Sequence, residues 1–364
     1  MSTQDPVVIV GMARTPMGGL LGELAGLSAN ELGAHVIKAA LSEAGLSGED
    51  VQEVIMGNCL PGGQGQAPAR QAAIKGEVGK HAESTTINKM CGSGMKAVMD
   101  AHDQILAGTS NVMVAGGMES MSQAPYILPK ARQGMRMGHG QVIDSMFFDG
   151  LEDAYEGGLM GTFAQQTADD YAVSREAMDD FAIGSLEKAL KAIETGAFKD
   201  EIAPVTIKSR KGESVVDTDE QPGNARIDKI RGLKPAFKKD GTVTAANSSS
   251  ISDGGSALVL MRESEAQKRG LTPLARIAAH STHAQLPAEF TIAPIGAVEK
   301  VLKKAGWSKG EVDLYEINEA FAVVTMLAQQ ELGLDADKVN VHGGACALGH
   351  PIGSSGSRIL VTLL

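Results

Sequence analysis

The sequence predicts an α/β fold, because short apolar segments typical of buried strands alternate with amphipathic segments typical of helices. A second observation is an internal repeat, in which residues 40–58 (ALSEAGLSGEDVQEVIMGN) correspond to residues 301–319 (VLKKAGWSKGEVDLYEINE) at an offset of 261. A third is the stretch 121–248, where Met- and Gly-rich loops interrupt the alternation. These features predict a duplicated α/β core with a substantially parallel sheet and an insertion packed over it.

The first half begins with a strand, a helix and a second strand. The apolar run PVVIVGM ends at a glycine and indicates a buried strand. Ser28 and Glu31 fit a capping box at the start of the helix, and Gly45 ends that helix. VQEVIMGN is the next predicted strand, and a helix over 95–108 and a strand over 111–120 follow it.

The repeat divides the chain into two halves around the insertion. GSGMKAV (92–98) corresponds to SSGSRIL (354–360) at an offset of 262, nearly the register of the first repeated pair. The strand that matches 111–120 would occupy about 373–382, beyond Leu364, so the second half is expected to be truncated. The predicted units are an N-terminal half over 1–120 and 249–270, an inserted loop domain over 121–248, and a C-terminal half over 271–364.

The insertion is predicted to contain one long helix. SREAMDDFAIGSLEKALKAIETG has Ser174 as its N-cap, and Met178, Phe181 and Leu186 contribute to one broad apolar face. Loops rich in Met and Gly precede it.

The composition excludes several classes of protein. A net charge of −11 without a block of like charges argues against a nucleic-acid partner. No apolar stretch approaches the roughly 18 residues of a membrane span, and the N-terminus has no basic leader, so neither a membrane segment nor a signal peptide is predicted. Three cysteines in 364 residues argue for a reducing compartment, which predicts a cytoplasmic location.

The segment NKMCGSGMKAV contains Cys91 where a run of small residues precedes a predicted helix. Free amide N–H groups and the helix dipole favour a thiolate at such a position. Gly92 and Gly94 leave room for a substrate carbonyl, which makes Cys91 a candidate nucleophile. Taken alone, the motif favours a packed cysteine in a strand-to-helix turn.

Two other segments carry candidate catalytic residues. In VHGGACALGHPIGSSGSR, His350 lies between Gly349 and Pro351, where a histidine suits a general base better than a core position. In YEINEAFA, Asn318 ends a predicted strand and can hold a water or donate a hydrogen bond to an oxyanion. By itself, Asn318 would be interpreted as an ordinary helix N-cap.

In combination, NKMCGSG, NEAFA and GGxxALGHPxGxSGxR resemble the motifs of the thiolase family, in that order along the chain. ARTP (13–16), GQGQAPARQAA (63–73), GGMESMSQAPY (116–126) and GTVTAANSSSISDGG (241–255) are also similar to family segments. Within the family, the chain most resembles the acetyl-CoA C-acetyltransferases, the acetoacetyl-CoA thiolases. This resemblance implies thiolase-like duplicated βαβαβ units in a layered α/β/α architecture with an inserted loop domain.

The resemblance also implies a reversible Claisen condensation, in which two acetyl-CoA give acetoacetyl-CoA and CoA. Cys91 matches the nucleophile that takes the acyl group as a thioester, His350 the base that activates it, and Asn318 the residue that fixes a water at the enolate oxygen. Ser249 matches a serine that contacts the pantetheine of CoA. The residues that match the lining of the CoA and acyl channel are Leu151, Met160, Ala320 and Phe321.

The same resemblance implies no metal and no prosthetic group, because the coenzyme A thioester is the substrate and hydrogen-bond donors meet the oxyanions. The sequence contains no H-E-x-x-H and no paired C-x-x-C pattern, which agrees with this expectation. Family analogy further predicts a homodimer or a homotetramer.

The phosphates of CoA require a basic site on this acidic protein. Residues 226–241 contain six basic and two acidic residues, and the resemblance implies that this neighbourhood lies near the CoA phosphates. The candidates are Arg226, Lys229 and Arg231, although position 222, near the place of a family arginine, is Pro. A solvated charged face is an equally good interpretation of any single lysine in this segment.

The sequence departs from the family pattern at the second catalytic cysteine. Thiolases use a cysteine in a C-G-G-G-like turn near the C-terminus as acid/base on the second acetyl-CoA, in the strand that the repeat sets beyond Leu364. Cys59 and Cys346 are interpreted as packing residues. Leu159 and residues 287–294 (PAEFTIAP) also differ from many short-chain thiolases, which alters the pocket walls and predicts a broader acyl range.

These departures leave alternatives open. One is a broader-specificity 3-ketoacyl-CoA thiolase of fatty-acid breakdown, and another is a non-catalytic CoA-binding subunit, if the chain is natively truncated. A decarboxylating ketoacyl synthase would need a second histidine in place of NEAFA, and a sterol-carrier-type thiolase would carry a histidine-containing version. The intact NEAFA segment disfavours both.

Overall fold

The computed structural model describes residues 5–209 and 212–364. Residues 1–4, part of the N-terminal stretch in which no signal peptide is predicted, lie outside the described residues. The strands are β1 (Val7–Arg14), β2 (Gly18–Gly19), β3 (Glu53–Gly57), β4 (Glu83–Ile87), β5 (Val112–Ser120), β6 (Tyr126–Ile127), β7 (Ile143–Asp144), β8 (Val205–Ser209), β9 (Gly212–Val216), β10 (Ser252–Arg262) and β11 (Ala275–Arg276).

The α-helices are α1 (Ala29–Glu43), α2 (Pro68–Lys75), α3 (Ser93–Ala107), α4 (Met160–Asp170), α5 (Arg175–Thr195), α6 (Glu220–Asn224), α7 (Ile227–Ile230), α8 (Glu263–Lys268), α9 (Ala293–Ala305), α10 (Ala322–Leu332), α11 (Ala345–Leu348) and α12 (Ile352–Leu363). Short 3-10 turns cover Gly48–Asp50, Met121–Gln123, Ala131–Gln133, Pro287–Ile292, Lys309–Glu311 and Ala336–Lys338, and a π-helical turn covers Phe147–Leu151. None of the helices in the described ranges combines the length and apolar composition of a membrane span.

The main sheet has the strand order β11-β1-β10-β5-β3-β4, with β2 paired to β10. β3 is parallel to both β4 and β5, as the alternation of strands and helices predicts. β10 is antiparallel to both β1 and β5. The sheet is therefore mixed, because the strand that returns after the insertion enters it from the opposite end.

Helices cover both faces of this sheet, which gives the predicted α/β/α layering. On one face, side chains of α1 and α2 such as Val36, Ile37 and Ala72 pack with β-strand residues into one buried cluster. On the other face, Ala97 and Ile105 of α3 form a second cluster, which α12 joins. Every residue of β1 and β5 is buried, which is the pattern of strands covered on both faces.

The local predictions for the first half are confirmed. Ser28 caps α1 in a capping box with Glu31, whose Oε2 accepts the Ser28 N–H at 2.9 Å. Gly45 follows the helix with a φ of +67°, a conformation that favours glycine. In the insertion, Ser174 caps α5 by accepting the Ala177 N–H at 3.1 Å. The insertion also contains α4, α6, α7 and two small hairpins that the sequence prediction leaves as loops.

The internal repeat recurs in local structure. The 3-10 turns Gly48–Asp50 and Lys309–Glu311 each follow a serine, Ser47 or Ser308, in a capping box with the acidic residue three positions on. The strand predicted within 312–319 is wrong, because in the described residues that segment pairs with another only through a single bridge between Tyr315 and Val339. Without further rungs there is no ladder to define a strand.

The two helices that the repeat aligns, α3 and α12, pack against each other through glycines. A Cβ on Gly94 would lie 2.4 Å from Ser357 Oγ and 2.7 Å from Ser357 N. A Cβ on Gly356 would lie 2.5 Å from Met95 N. The 262-residue offset pairs these two glycines, so each helix gives the other the same close approach. This crossing brings the N-termini of α3 and α12 together.

Candidate active site

Cys91 lies in the turn immediately before α3, whose N-cap is Gly92. The turn is closed by backbone hydrogen bonds from Gly92 N to Lys89 O at 3.1 Å and from Ser93 N to Met90 O at 2.9 Å. The residue is exposed to solvent. This is the strand-to-helix turn that the sequence predicts for the nucleophile.

The residue before the nucleophile has an unusual backbone conformation. Met90 has a φ of +48°, in the left-handed region that non-glycine residues rarely occupy. Asn88 holds it, because Asn88 Oδ1 accepts the Met90 N–H at 2.9 Å while Asn88 Nδ2 donates to Cys59 O at 3.3 Å. Residues held in this region cluster at functional sites, where the surrounding contacts fix them.

His350 lies in the turn before α12, and only 7% of it is exposed. Its backbone N–H donates to Ser250 O at 3.1 Å and to Ser252 Oγ at 3.2 Å. Gly349 precedes it with a φ of +108°, and a Cβ there would lie 2.3 Å from Ser252 Oγ. Glycine is therefore required at position 349, because the loop passes too close to Ser252, the first residue of β10, for a larger residue to fit.

The imidazole of His350 contacts the thiol of Cys91, with Nε2 at 3.1 Å from Sγ. The other ring nitrogen, Nδ1, hydrogen-bonds Ser355 Oγ, whose hydroxyl donates to Pro351 O at 3.0 Å. Because the Ser355 hydroxyl donates to that carbonyl, its oxygen accepts a hydrogen bond from His350 Nδ1–H. The Nε2 lone pair consequently faces the thiol and can accept its proton.

Burial keeps both partners neutral at rest. Desolvation, followed by the charge of buried Arg358, lowers the pKa of His350 to about 4. Although Cys91 is accessible, the surrounding protein desolvates its sulfur and raises the pKa of the thiol to about 11, and Glu119 adds to the rise. In the resting site, desolvation therefore opposes the thiolate that the helix N-terminus favours. Proton transfer to His350 is needed to form the nucleophile.

Glu119 links the two catalytic turns from beneath. It is fully buried near the end of β5 and accepts N–H groups from Cys59 at 2.8 Å, Leu60 at 3.1 Å and Gly353 at 2.9 Å. Burial raises the pKa of its carboxyl to about 7, although these hydrogen bonds oppose the rise. One carboxylate thus fixes the loop after β3 and the first turn of α12.

Asn318 is not a helix N-cap, because α10 begins at Ala322 with Phe321 as its N-cap. Its neighbours are fixed on both sides: Ile317 exchanges hydrogen bonds of 2.8 and 2.9 Å with Asn340, and Glu319 accepts from Asn340 Nδ2 at 2.9 Å. Asn318 Oδ1 is buried and has no hydrogen-bond partner among the described residues. It is an acceptor that a water or a substrate group can satisfy.

The predicted channel residues fall into two groups. Ser249 bonds to the NEAFA segment, because its backbone N–H and its hydroxyl both contact Ala320 O, at 3.0 and 2.9 Å. Met160, Ala320 and Phe321 belong to one apolar cluster around α10. Leu151 packs instead against a different cluster, which includes Cys59 and Ile352.

A cavity of about 320 Å³ lies beside this region. Ser248, Ser250 and Cys346 line it, and Ser250 is the residue whose carbonyl binds the His350 N–H. Arg226 and Lys229 line its other end, although Arg226 is within 3.5 Å of Asp228 in an exposed ion pair. The lining is partly apolar and partly basic.

Arg231 is the one predicted phosphate contact that is not among the lining residues of this cavity. Its guanidinium pairs with Asp180 of α5 at the surface. Cys346, interpreted from sequence as packing, does contact the NEAFA segment but also faces the cavity. Its pKa is raised well above the ordinary thiol value, because burial and the neighbouring Glu319 disfavour a thiolate.

The sequence analysis missed three residues that shape the site: Ser355, Glu119 and Ser252. Ser355 lies five residues after His350 in the SSG segment, and Glu119 lies in GGMES, so both occur in motifs that were noted without a role. A buried acidic residue between a glycine pair and a serine was a usable signal for Glu119. Ser252 also lies in a quoted motif, GTVTAANSSSISDGG, but its contact with His350 joins residues 98 positions apart.

Comparison with known proteins agrees with this architecture. The family pattern described as "Thiolase, N-terminal domain" matches residues 7–264, and "Thiolase, C-terminal domain" matches residues 271–364. An acetyl-CoA acetyltransferase of Pseudomonas aeruginosa is 50% identical over 98% of this chain and 92% of its own, and one of Cupriavidus necator is 51% identical over the same shares. The solved structure of an acetyl-CoA acetyltransferase from Syntrophomonas wolfei superposes with a TM-score of 0.95 at 39% identity, over 98% of this chain and 92% of that one.

Proposed function

Since this chain belongs to the thiolase family, we propose that it is an acyltransferase that condenses two acetyl-CoA reversibly to acetoacetyl-CoA and CoA. The observation that carries the proposal is the 3.1 Å contact between Cys91 Sγ and His350 Nε2. Identities near 50% to acetyl-CoA acetyltransferases over nearly the whole chain support the choice of acyl group.

In the first half-reaction His350 Nε2 takes the Cys91 proton, and the sulfur attacks the thioester carbonyl of acetyl-CoA. The tetrahedral intermediate collapses as the C–S bond to CoA breaks, and the imidazolium returns the proton to the departing CoA thiolate. Acetyl-Cys91 and CoA–SH remain. Ser355 acts as a positioning residue, because it keeps the basic lone pair on Nε2.

In the second half-reaction the Cα of another acetyl-CoA loses a proton to a base, and the enolate carbon attacks acetyl-Cys91. The new C–C bond gives acetoacetyl-CoA as the C–S bond to Cys91 breaks, and the proton taken from Cα returns to the departing Cys91 thiolate. Asn318, whose buried Oδ1 has no hydrogen-bond partner among the described residues, is proposed to hold a water whose second O–H donates to the enolate oxygen. Cys346 is a poor candidate for the base, because its thiol pKa is raised and its sulfur contacts Glu319 O at 3.7 Å.

Ser249, Leu151, Met160, Ala320 and Phe321 are proposed to line the path of the CoA thioester. Arg226 and Lys229 are proposed to meet its phosphates, supported by their position on the 320 Å³ cavity next to Ser250. Arg231 is less suited, since Asp180 neutralises it at the surface. The CoA thioester is substrate, and the proposal includes no metal and no prosthetic group.

The test is intact-protein mass spectrometry after exposure to acetyl-CoA, with the Cys91→Ala variant alongside. Wild-type protein should gain one acetyl group and the variant none. Cys59→Ala is the matched control, because Cys59 is buried and its thiol pKa is strongly raised, so acetylation should persist. A folded wild-type protein that is not acetylated would leave the non-catalytic CoA-binding alternative.

A second candidate is a broader 3-ketoacyl-CoA thiolase, favoured by the aromatic ring of Phe290. This ring lies edge-on to Phe321, with 6.2 Å between centroids, in the segment that departs from short-chain thiolases. Thiolysis rates for acetoacetyl-CoA and for longer 3-ketoacyl-CoA substrates distinguish the two. One methylene changes discrimination in a pocket by roughly 1–3 kcal/mol. The thiolysis rate of an enzyme strict for acetoacetyl-CoA should therefore fall at least about tenfold for each two carbons added to the acyl chain.

A homodimer or homotetramer in the cytoplasm belongs to the same proposal. Large apolar side chains are exposed in the insertion, with Met137 97%, Tyr155 82% and Tyr126 67% accessible, as in faces that bury against another copy. All three cysteines are free, which suits a reducing compartment. Light scattering coupled to gel filtration gives the oligomer number, and a monomer at micromolar concentration would contradict the assembly.

A further inference from the structure

Two histidines and an aspartate cluster at the far end of the helix that begins beside Cys91. His102 and Asp103 lie on α3, about three turns and on the order of 16 Å along the helix from the nucleophile. His280 belongs to the segment that follows β11. The three side chains therefore join α3 to a part of the chain that the family match assigns to the second half.

The ligand atoms of this cluster already converge. Asp103 Oδ1 lies 2.9 Å from His102 Nδ1 and 2.8 Å from His280 Nε2, and all three atoms are within 4.8 Å of one another. The two imidazole rings are edge-to-face with centroids 4.9 Å apart. Asp103 is 58% exposed on its side chain, whereas His102 and His280 are 13% and 23% exposed, so one side of the cluster opens to solvent.

We propose that this cluster binds a divalent transition-metal ion, with Zn²⁺ as the best fit, through His102 Nδ1, His280 Nε2 and Asp103 Oδ1. Two imidazoles and a carboxylate are ligands that Zn²⁺ accepts, at bonds of about 2.0–2.2 Å. Tetrahedral bonds of that length separate ligand atoms by roughly 3.3 Å. To reach that geometry the two contacts to Asp103 Oδ1 lengthen by about half an ångström, and the two imidazole nitrogens, which lie within 4.8 Å of each other, move to the same separation by side-chain rotation. A water fills the solvent-facing position.

Binding balances without any redox step. Each neutral imidazole changes tautomer on binding: the proton on the nitrogen that faces Asp103, His102 Nδ1 or His280 Nε2, is lost to solvent, and the other ring nitrogen takes one up. The N–H groups that now donate to Asp103 are replaced by metal bonds, and the carboxylate remains ionised. Lys304 of α9 donates to the backbone oxygen of His280 at 2.9 Å, and that bond uses none of the three ligand atoms.

The ion would have a structural role and would not take part in acyl transfer. It would restrain the C-terminal part of α3 against the segment after β11, and its charge is favoured near a helix C-terminus. We therefore expect metal to raise the thermal midpoint of unfolding without altering the acetylation of Cys91.

The probe is Co²⁺, added to chelator-treated full-length protein in which Cys91 has been alkylated with iodoacetamide. Alkylation matters because the Cys91–His350 pair could itself chelate a metal. One equivalent should give d–d absorption without a sulfur-to-metal charge-transfer band, and Zn²⁺ should displace it. Asp103→Asn and His280→Gln should each weaken binding by at least about 100-fold, because losing a residue that merely supports a ligand already costs about 10–100-fold.

His81→Gln is the matched control, because His81 lies 3.5 Å from Glu49 in an exposed pair without a third ligand. That variant should bind Co²⁺ like the parent. If His280→Gln binds Co²⁺ as tightly as the parent, or if the parent shows no d–d band, the cluster is held only by its hydrogen bonds and the metal-site proposal is wrong. If the cluster variants do not fold, X-ray absorption of the Zn²⁺-loaded parent decides, since sulfur ligation or a single imidazole would overturn the proposal.

Discussion

The turns before α3 and before α12 occupy corresponding places in the repeat, yet they present opposite chemistry. The first exposes the thiol of Cys91, whereas the second buries the imidazole of His350 to 7% exposure. Each turn precedes a helix that contributes a glycine to the crossing, Gly94 or Gly356. The two copies of the repeated turn thus place one accessible side chain, Cys91, which substrate must reach, and one side chain shielded from water, His350.

The difference teaches that burial, rather than the helix end, sets the protonation of the pair. Both side chains lie at helix N-termini, where the dipole favours a thiolate and disfavours an imidazolium. Desolvation reinforces the second effect and lowers the pKa of His350 to about 4, but it opposes the first and raises the pKa of Cys91 to about 11. Between those values the resting pair is a neutral thiol and a neutral base.

The largest effect is expected from removing the base. His350→Gln keeps a hydrogen-bonding side chain but has no group that accepts a proton near neutral pH. Acetylation of Cys91 at pH 7 should slow by about 10²–10⁴-fold, the range for general acid–base catalysis. Quenched-flow mass spectrometry measures the rate.

A pH profile of Cys91 alkylation by iodoacetamide is the control for this variant. If His350 is the base, the deficit of His350→Gln should shrink as the pH approaches 11, where the thiol ionises unaided. A variant acetylated at the wild-type rate would show that the 3.1 Å contact is incidental.

The carboxylate that ties the two turns together comes next. Burial raises the pKa of Glu119 from 4.5 to about 7, so the native state binds its proton more tightly than the unfolded state. Wild-type stability from this group is therefore present below pH 4.5 and is lost as the pH rises to 7, by roughly 3 kcal/mol at 1.36 kcal/mol per unit. Glu119→Gln should remove that slope in urea unfolding measured between pH 5 and 7.5.

Glu187→Gln, a change at an exposed position on α5, is the control and should keep the slope. The lowered pKa of His350 has the opposite effect on stability, which falls as the pH drops below 6.5. The pH dependence of the unfolding free energy is therefore compared between variants. Identical slopes for Glu119→Gln and wild type would contradict the raised pKa.

The glycine crossing should respond more moderately. In Gly356→Ala the new Cβ would lie 2.5 Å from Met95 N, so α12 must shift away from α3. Overpacking of this kind costs about 1–3 kcal/mol, and the shift should also slow acetylation by separating His350 from Cys91. Gly184→Ala in α5, where nothing lies within 4 Å of an added Cβ, should instead stabilise by up to about 1 kcal/mol. Equal effects of the two substitutions would contradict the close crossing.

The smallest effect is expected at Ser355. Ser355→Ala removes the acceptor of Nδ1–H, and the loss of one hydrogen bond, about 1 kcal/mol, should slow acetylation five- to tenfold. Nitrogen NMR of His350 should show the proton moving partly to Nε2, which a purely structural role would not produce. Ser355→Thr should restore both the tautomer and the rate, and an unchanged tautomer in the alanine variant would remove Ser355 from the mechanism.

Much of the fold could be predicted because its signals are local. Ser28 with Glu31, Gly45 and Ser174 mark helix ends through contacts within a few residues. The strand predicted within 312–319 failed because apolar alternation indicates a strand only where a neighbour completes the ladder, and one bridge to Val339 does not. Arg231 was grouped with Arg226 by sequence proximity, but Asp180, 51 residues away, turns it to the surface.

The sequence by itself determined which groups can do chemistry: a cysteine and a histidine in glycine-rich turns, and an asparagine in an unusual acidic motif. Only the tertiary structure decided their protonation, the tautomer of His350 and the distance that joins residues 259 positions apart. The physical reason is that residue type fixes a functional group, whereas desolvation and hydrogen bonding come from whatever the fold brings next to it. Glu119 shapes the pair in this way, through contacts with residues 59 to 234 positions away in the sequence.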